Sequence, residues 1–263
     1  MTARAATLLA AAVALLAAAP AAAPAQQRPD ITAPSAIVVE ASTGDVVFER
    51  NADERRAIAS TTKLMTALLA VETAPLDDVL TVAPYDAGAA ESLAGLREGE
   101  RITVRDLVRG LMLASGNDAA VTLAVGVSGS VDAFVRDMNA RARELGLRDT
   151  TFTNPVGLDE GRNRSSPRDL ARLARVLRRN EFLRRTADLE RATIRSGERR
   201  LTVVNRNTLV RRVDWVDGFK TGRTNQAGYV LVGSATRRGV TVVSAVMGAP
   251  TEAARRVALP TST

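Results

Sequence analysis

The order of apolar and polar positions divides the chain into a helical middle and strand-rich ends. Two short apolar runs, 36–41 and 45–50, flank Ser42-Thr43-Gly44 and predict a β-hairpin. From about Ser60 the spacing becomes helical, with Leu64, Ala67, Leu68 and Val71 on one face and Pro75 ending the run. Residues 77–99 are mixed and turn-rich. Thr103 followed by Asp106 resembles a capping box ahead of a stripe of Val104, Leu107, Val108, Leu111 and Met112. That helix is expected to stop at Ser115-Gly116-Asn117, with a second apolar helix over about 118–125 and a third over 134–145 ending at Gly146. Ser166 and Pro167 read as the N-cap and first position of another helix, which carries Leu170, Leu173, Ala174 and Leu177 inward. Beyond it, 216–221, 228–234 and 240–247 are β-branched runs separated by glycine-containing turns, with Gly239 marking a hairpin.

Strands at both ends and helices between them predict an α/β (α+β) fold. One antiparallel sheet is assembled from the two chain ends with flanking helices, and an all-helical lobe is inserted over about 72–180. No internal repeat or long linker is visible. The first residues follow a different logic. Arg4, the apolar run 5–19 and Ala23-Pro24-Ala25 have the charged, apolar and small-residue order of a secretory signal peptide, so 1–25 is expected to be removed and the protein exported. Pro20 and Pro24 interrupt the run, which favours cleavage over a retained membrane anchor. The remaining 26–263 is expected to be one catalytic domain, too short after Met247 for an additional β-rich domain. The closing helix, over about 251–258, would be brief.

Composition narrows the chemistry. The chain has 263 residues, a net charge of +7, no histidine and no cysteine. A cysteine nucleophile, a histidine base and an ordinary zinc site are therefore excluded. Aromatic content is only 3%, and no groove-binding basic motif occurs, so nucleic acid is not an expected partner. The arginines on the helix after Ser166 (Arg168, Arg172, Arg175, Arg178 and Arg179) read as a solvated face. The overall basic balance allows a weak attraction to anionic membrane or cell-wall polymers. Of the 36 basic residues only Lys63 and Lys220 are lysines. Arginine cannot deprotonate in a protein, so these two positions stand out for work that needs a primary amine.

Both lysines fall inside short motifs: Ser60-Thr61-Thr62-Lys63 and Lys220-Thr221-Gly222, with Ser115-Gly116-Asn117 between them. Each alone is weak. Ser60 could be a plain N-cap, and Ser115-Gly116-Asn117 a plain turn. Together they resemble the S-x-x-K, S-x-N, K-T-G set of penicillin-binding proteins and serine β-lactamases. The phrases around them are similar to the D-alanyl-D-alanine carboxypeptidase family of low-molecular-mass penicillin-binding proteins. They include 59–67, 115–120, Asn154-Pro155-Val156-Gly157-Leu158, and 216–222 followed by Ala227-Gly228-Tyr229. The likeness runs from about Ala36 to Met247.

The resemblance implies a β-lactamase/DD-peptidase-like fold with no cofactor and no metal. It implies a serine-type carboxypeptidase trimming peptidoglycan stem peptides through an acyl-Ser60 intermediate, with β-lactams as acylating inhibitors. A monomer is expected. Lys63, one helical turn after Ser60, would be the base if burial and a neighbouring cation such as Lys220 keep it neutral. Ser115 would relay the proton, and Asn117 would orient substrate. Lys220 and Thr221 would hold the terminal carboxylate, and Gly222 would let the substrate backbone approach the strand. By resemblance the N–H of Arg223 would complete an oxyanion hole with that of Ser60. Asp118 reads as structural.

Three other readings stay open. A D,D-endopeptidase shares the whole motif set. A β-lactamase would need a carboxylate-activated water. Glu160 with Asn163 looks superficially like that element but differs in spacing and lacks the leucine before the asparagine. An idle penicillin-binding or scaffold protein would not need the intact Ser60, Lys63 and Lys220.

Overall fold

A computed structural model describes residues 31–159 and 162–256. The proposed signal segment, Glu160 and the end of the expected closing helix lie outside the described residues. In chain order the strands and helices begin with β1 (Ser35–Glu40), β2 (Val46–Arg50), β3 (Arg56–Ala57) and α1 (Lys63–Thr73). They continue with β4 (Val79–Thr81), β5 (Arg101–Thr103), α2 (Val104–Arg109), α3 (Asn117–Ser128), α4 (Val131–Glu144) and β6 (Arg164–Ser165). The last are α5 (Pro167–Arg179), α6 (Glu181–Asp188), β7 (Arg191–Ser196), β8 (Arg199–Val204), β9 (Val216–Thr224), β10 (Gly228–Arg237) and β11 (Val240–Ala249).

The main sheet has the order β2-β1-β11-β10-β9, antiparallel throughout. Ser35 to Glu40 pair in register with Met247 to Val242, so the early hairpin and the late strands make one sheet, as the pattern predicts. This leaves β9, which carries Lys220-Thr221-Gly222, at an edge of the main sheet.

Local chemistry explains where the helices begin. The Thr103 hydroxyl accepts the Asp106 N–H at 3.2 Å, Ser130 accepts that of Ala133 at 3.1 Å, and Ser166 accepts that of Asp169 at 3.3 Å. The helix expected over 134–145 starts three residues earlier because Ser130, not Phe134, sits at its threshold. Only half of the expected capping box forms. The Asp106 carboxylate turns instead to Arg109 and to the backbone N–H of Arg195.

The helical lobe differs from expectation in two ways. It carries β ribbons, β4–β5 and β7–β8, the second packed on α2. Helix α5, expected inside the lobe, instead lays Leu170, Leu173, Ala174 and Leu177 against β11 and β1. Helix α1 lies at the junction, in contact with α3, α4 and α5, and its residues 63–70 are all buried.

The arginines of α5 are only in part a solvated face: Arg172 and Arg179 are exposed, while Arg168, Arg175 and Arg178 are half-buried. Arg168 reaches Asp53 at 2.6 Å and Glu49 at 2.7 Å, and Arg172 donates to the Gly146 carbonyl at 2.6 Å. Arg175 donates to the carbonyls of Ala41 and Ser42 at 2.8 and 3.0 Å. Arg178 pairs with Asp217 at 2.6 Å and also meets the Ser234 hydroxyl, fastening the helix to β9 and β10. The other Asp217 oxygen is buried without a partner. Replacing Arg178 by alanine therefore strands a half-buried carboxylate. Breaking such a pair from one side costs about 2–3 kcal/mol, which should appear as a lower midpoint in urea unfolding with the slope unchanged.

Candidate active site

Ser60 sits on a 3-10 turn, Ala59–Thr62, that runs directly into α1. Here the structure sharpens the expectation: Ser60 is not an N-cap, and its side chain makes no capping bond. The turn is tightly made. Ala59 has φ +47°, a left-handed value for a residue with a side chain. Gly157 packs over it so closely that an added Cβ would lie 2.0 Å from the Ala59 carbonyl oxygen. From the other side, a Cβ on Gly222 would lie 2.9 Å from the Ala59 Cβ and 3.0 Å from the Ser60 nitrogen. The sequence reading gave Gly222 to the substrate backbone. The structure gives the missing side chain a nearer reason, which is to let β9 touch the turn that bears Ser60.

Lys63 is fully buried. Its ammonium donates to the Val156 carbonyl at 2.6 Å and to the Ser60 hydroxyl oxygen at 3.3 Å. Burial lowers its pKa to about 7; the carboxylates of Glu91 and Asp118 pull it up, and Arg206 pushes it down. Lys220 is 1% exposed and donates to the Ser115 hydroxyl at 2.9 Å and the Thr221 carbonyl at 3.0 Å. Its pKa is also lowered, first by burial and then by Lys63, Arg206 and Arg255. Burial, the first of the two causes expected, is thus the main one for Lys63, and the assisting cation is Arg206.

Ser115 takes φ +62° just after a π-helical turn, Gly110–Ala114. Arg206 secures this turn through its backbone N–H to Leu113 and its guanidinium to the Ala114 carbonyl. Asn117 is 3% exposed, and its amide donates to Glu91 at 2.6 Å. Asp118 is structural, as expected: its carboxylate receives the N–H groups of Ala94, Gly95 and Leu96.

Thr221 is buried on β9. Arg223 is exposed, with its guanidinium over the Tyr229 ring at 5.2 Å. The Arg255 guanidinium stands 5.4 Å from the same ring and 3.5 Å from the Gly222 carbonyl.

Ser60 with Lys63 and Ser115 with Lys220 therefore form two directly bonded pairs, and Gly222, packed against the turn that bears Ser60, brings β9 with Lys220, Thr221 and Arg223 to the first of them. Sequence reasoning missed Glu91, Arg206 and Arg255, whose charges bear on the lysines, and the Val156 carbonyl. No motif marks these two among the chain's 34 arginines. The Val156 contribution is a backbone atom, and only the phrase around it could have pointed there.

A five-stranded antiparallel sheet with a helical lobe is a fold this chain shares with solved DD-peptidases and DD-transpeptidases. Residues 22–251 match the family model described as D-alanyl-D-alanine carboxypeptidase, and the chain belongs to that family. It is 38% identical over 225 residues to D-alanyl-D-alanine carboxypeptidase DacF of Bacillus subtilis, covering 83% of this chain and 58% of the relative. It is 39% identical over 240 residues to DacA of Escherichia coli, covering 85% of this chain and 58% of the relative. The chain thus spans just under three-fifths of these relatives' length. The crystal structure of the Streptomyces K15 DD-transpeptidase superposes with a TM-score of 0.81 at 33% identity, covering 88% of this chain and 95% of that one.

With only two lysines, their titration can be read one residue at a time. In lysine-labelled protein the Lys63 side-chain carbon next to the amine is expected to titrate near pH 7. The assignment follows from the signal that K63R removes. A midpoint near the ordinary lysine value of about 10.4 would show that the buried amine is charged and cannot be the base.

Proposed function

We propose that this protein is a serine-type D-Ala-D-Ala carboxypeptidase that trims peptidoglycan stem pentapeptides and is acylated by β-lactams. The observation that carries this reading is the contact of the Ser60 hydroxyl with a buried Lys63, beside a second buried amine, Lys220, bonded to Ser115. Neutral Lys63 takes the Ser60 proton as Oγ attacks the carbonyl of the penultimate residue. The developing oxyanion lies between the N–H groups of Ser60, at the open end of its helical turn, and Arg223 on β9. Ser115, hydrogen-bonded to Lys220, relays the proton taken up by Lys63 to the departing amine as the peptide C–N bond breaks, leaving the acyl group on Ser60. Lys220 and Thr221 supply donors, and the guanidinium of Arg255 a fixed positive charge, for the terminal carboxylate. Water then releases the acyl group from Ser60. No step requires a cofactor or metal.

The same reading has residues 1–25 as an export leader and 26–263 as one catalytic unit acting outside the cytoplasm, as a monomer. One observation favours a second substrate. A relative from Pseudomonas aeruginosa, 35% identical over 229 residues and covered to 73%, is named D-alanyl-D-alanine endopeptidase. Cross-linked stem peptides are therefore a second substrate to try.

Mass spectrometry after penicillin treatment is expected to show one adduct, on Ser60, and the untreated protein should release D-Ala from a diacetyl-Lys-D-Ala-D-Ala peptide. K63R keeps the charge but cannot supply a base, and its acylation is expected to fall by about 10³-fold or more. Folded protein with neither adduct nor D-Ala release would overturn the reading. Rapid turnover of penicillin in place of a lasting adduct would make the protein a β-lactamase, and cleavage of cross-linked dimers alone would make it an endopeptidase.

A further inference from the structure

The turn-rich segment 84–96, to which the hydrophobic pattern assigns no element, forms a wall of the site and is tied to the start of α3 in three places. The Asn117 N–H donates to the Ser92 carbonyl at 2.8 Å. The Asp118 carboxylate collects three successive N–H groups, from Ala94, Gly95 and Leu96. The third tie joins side chains. Glu91 Oε2 accepts from the Asn117 amide at 2.6 Å and from the Tyr85 hydroxyl, while Oε1 accepts the Gly88 N–H at 3.0 Å. Burial pushes the Glu91 carboxyl up, but the donors of Tyr85, Asn117 and Gly88 more than offset this, so it is held below its usual value and carries a charge.

The first two ties already fix the segment through its backbone, so Glu91 is not needed to hold it. What Glu91 controls is an amide. An asparagine side chain can present either its oxygen or its nitrogen to a neighbour, whereas an ionised carboxylate only accepts. Facing Glu91, Asn117 must turn its nitrogen toward the carboxylate and its oxygen away. We propose that Glu91 is a positioning residue that locks the Asn117 amide in one orientation, so that the substrate's amide backbone meets a fixed donor and acceptor. This rests on the substrate-orienting role given to Asn117 above.

Glu91 has a second effect that is separable from the first. The charged groups facing Lys63 are Glu91 on the segment, Asp118 on α3, Arg206 after β8 and Lys220 on β9, and the foremost of those favouring the charged amine is Glu91. E91Q removes the charge yet keeps an oxygen that can accept from Asn117; E91A removes both.

The test is the second-order rate constant for penicillin acylation of Ser60 across pH, with KM and kcat for D-Ala release. E91A is expected to lose about tenfold in acylation, expressed mainly as a higher KM, because one charge-assisted hydrogen bond no longer fixes the amide. E91Q is expected to recover most of that loss while its acid limb moves to lower pH, since Lys63 then gives up its proton more readily. In an N117A background, E91A should add no further loss in KM, because the residue through which it acts is gone. Wild-type acylation rates in E91A would overturn the proposal, as would an equal loss in the N117A background. A wild-type protein that takes no acyl group at all would overturn the function itself, and that result is read before any variant is made.

Discussion

Two lysine amines are buried in this protein, and neither is paired with a contacting carboxylate among the described residues. Lys63 is bonded to a hydroxyl and a carbonyl, and so is Lys220. Burying an isolated ammonium in low dielectric is costly, and the ordinary relief is to lose the proton. A fold that holds Lys63 in the middle of its core, on the first turn of α1, thereby lets it shed its proton near neutral pH. Glu91 and Asp118 pull the other way from a distance, so the amine is poised rather than permanently neutral.

The rest of the architecture serves to bring that amine, its serine and an open strand edge together. The sheet closes through β1 and β11, which leaves β9 at an edge of the main sheet beside the turn that bears Ser60. Contact there depends on two positions without side chains, Gly157 and Gly222, on either side of a residue with positive φ, Ala59. The π-helical turn before Ser115 makes a comparable adjustment in the lobe, aiming that hydroxyl at Lys220. Two of the positive-φ residues that carry side chains, Ala59 and Ser115, thus stand at the site, while α5 runs without interruption.

What could be read in the sequence followed from the kind of signal each part leaves. Helix α5 announces itself through Ser166, Pro167 and a leucine stripe, and the hairpin β10–β11 through Gly239. The ribbon β7–β8 was missed because arginines interrupt its alternation and only Ile194, Leu201 and Val203 mark an inner face. Lys63 and Lys220 were legible because the chain uses arginine everywhere else. That same bias hid Arg206 and Arg255, and it disguised Arg168 and Arg178 as surface when they fasten α5 to neighbouring carboxylates. Glu91 was invisible for a different reason: it lies 26 residues from its partner, in a segment without periodicity.

The central claim is that Ser60 is activated by an amine made neutral through burial. The most direct measurement is the rate of Ser60 acylation by a β-lactam in the wild-type protein between pH 5 and 9. With Lys63 as base, the rate should rise about tenfold per unit at the acid end and level off above about pH 7, where the amine has lost its proton. A rate that is flat across this range, or one that begins to rise only above pH 9, would contradict the account.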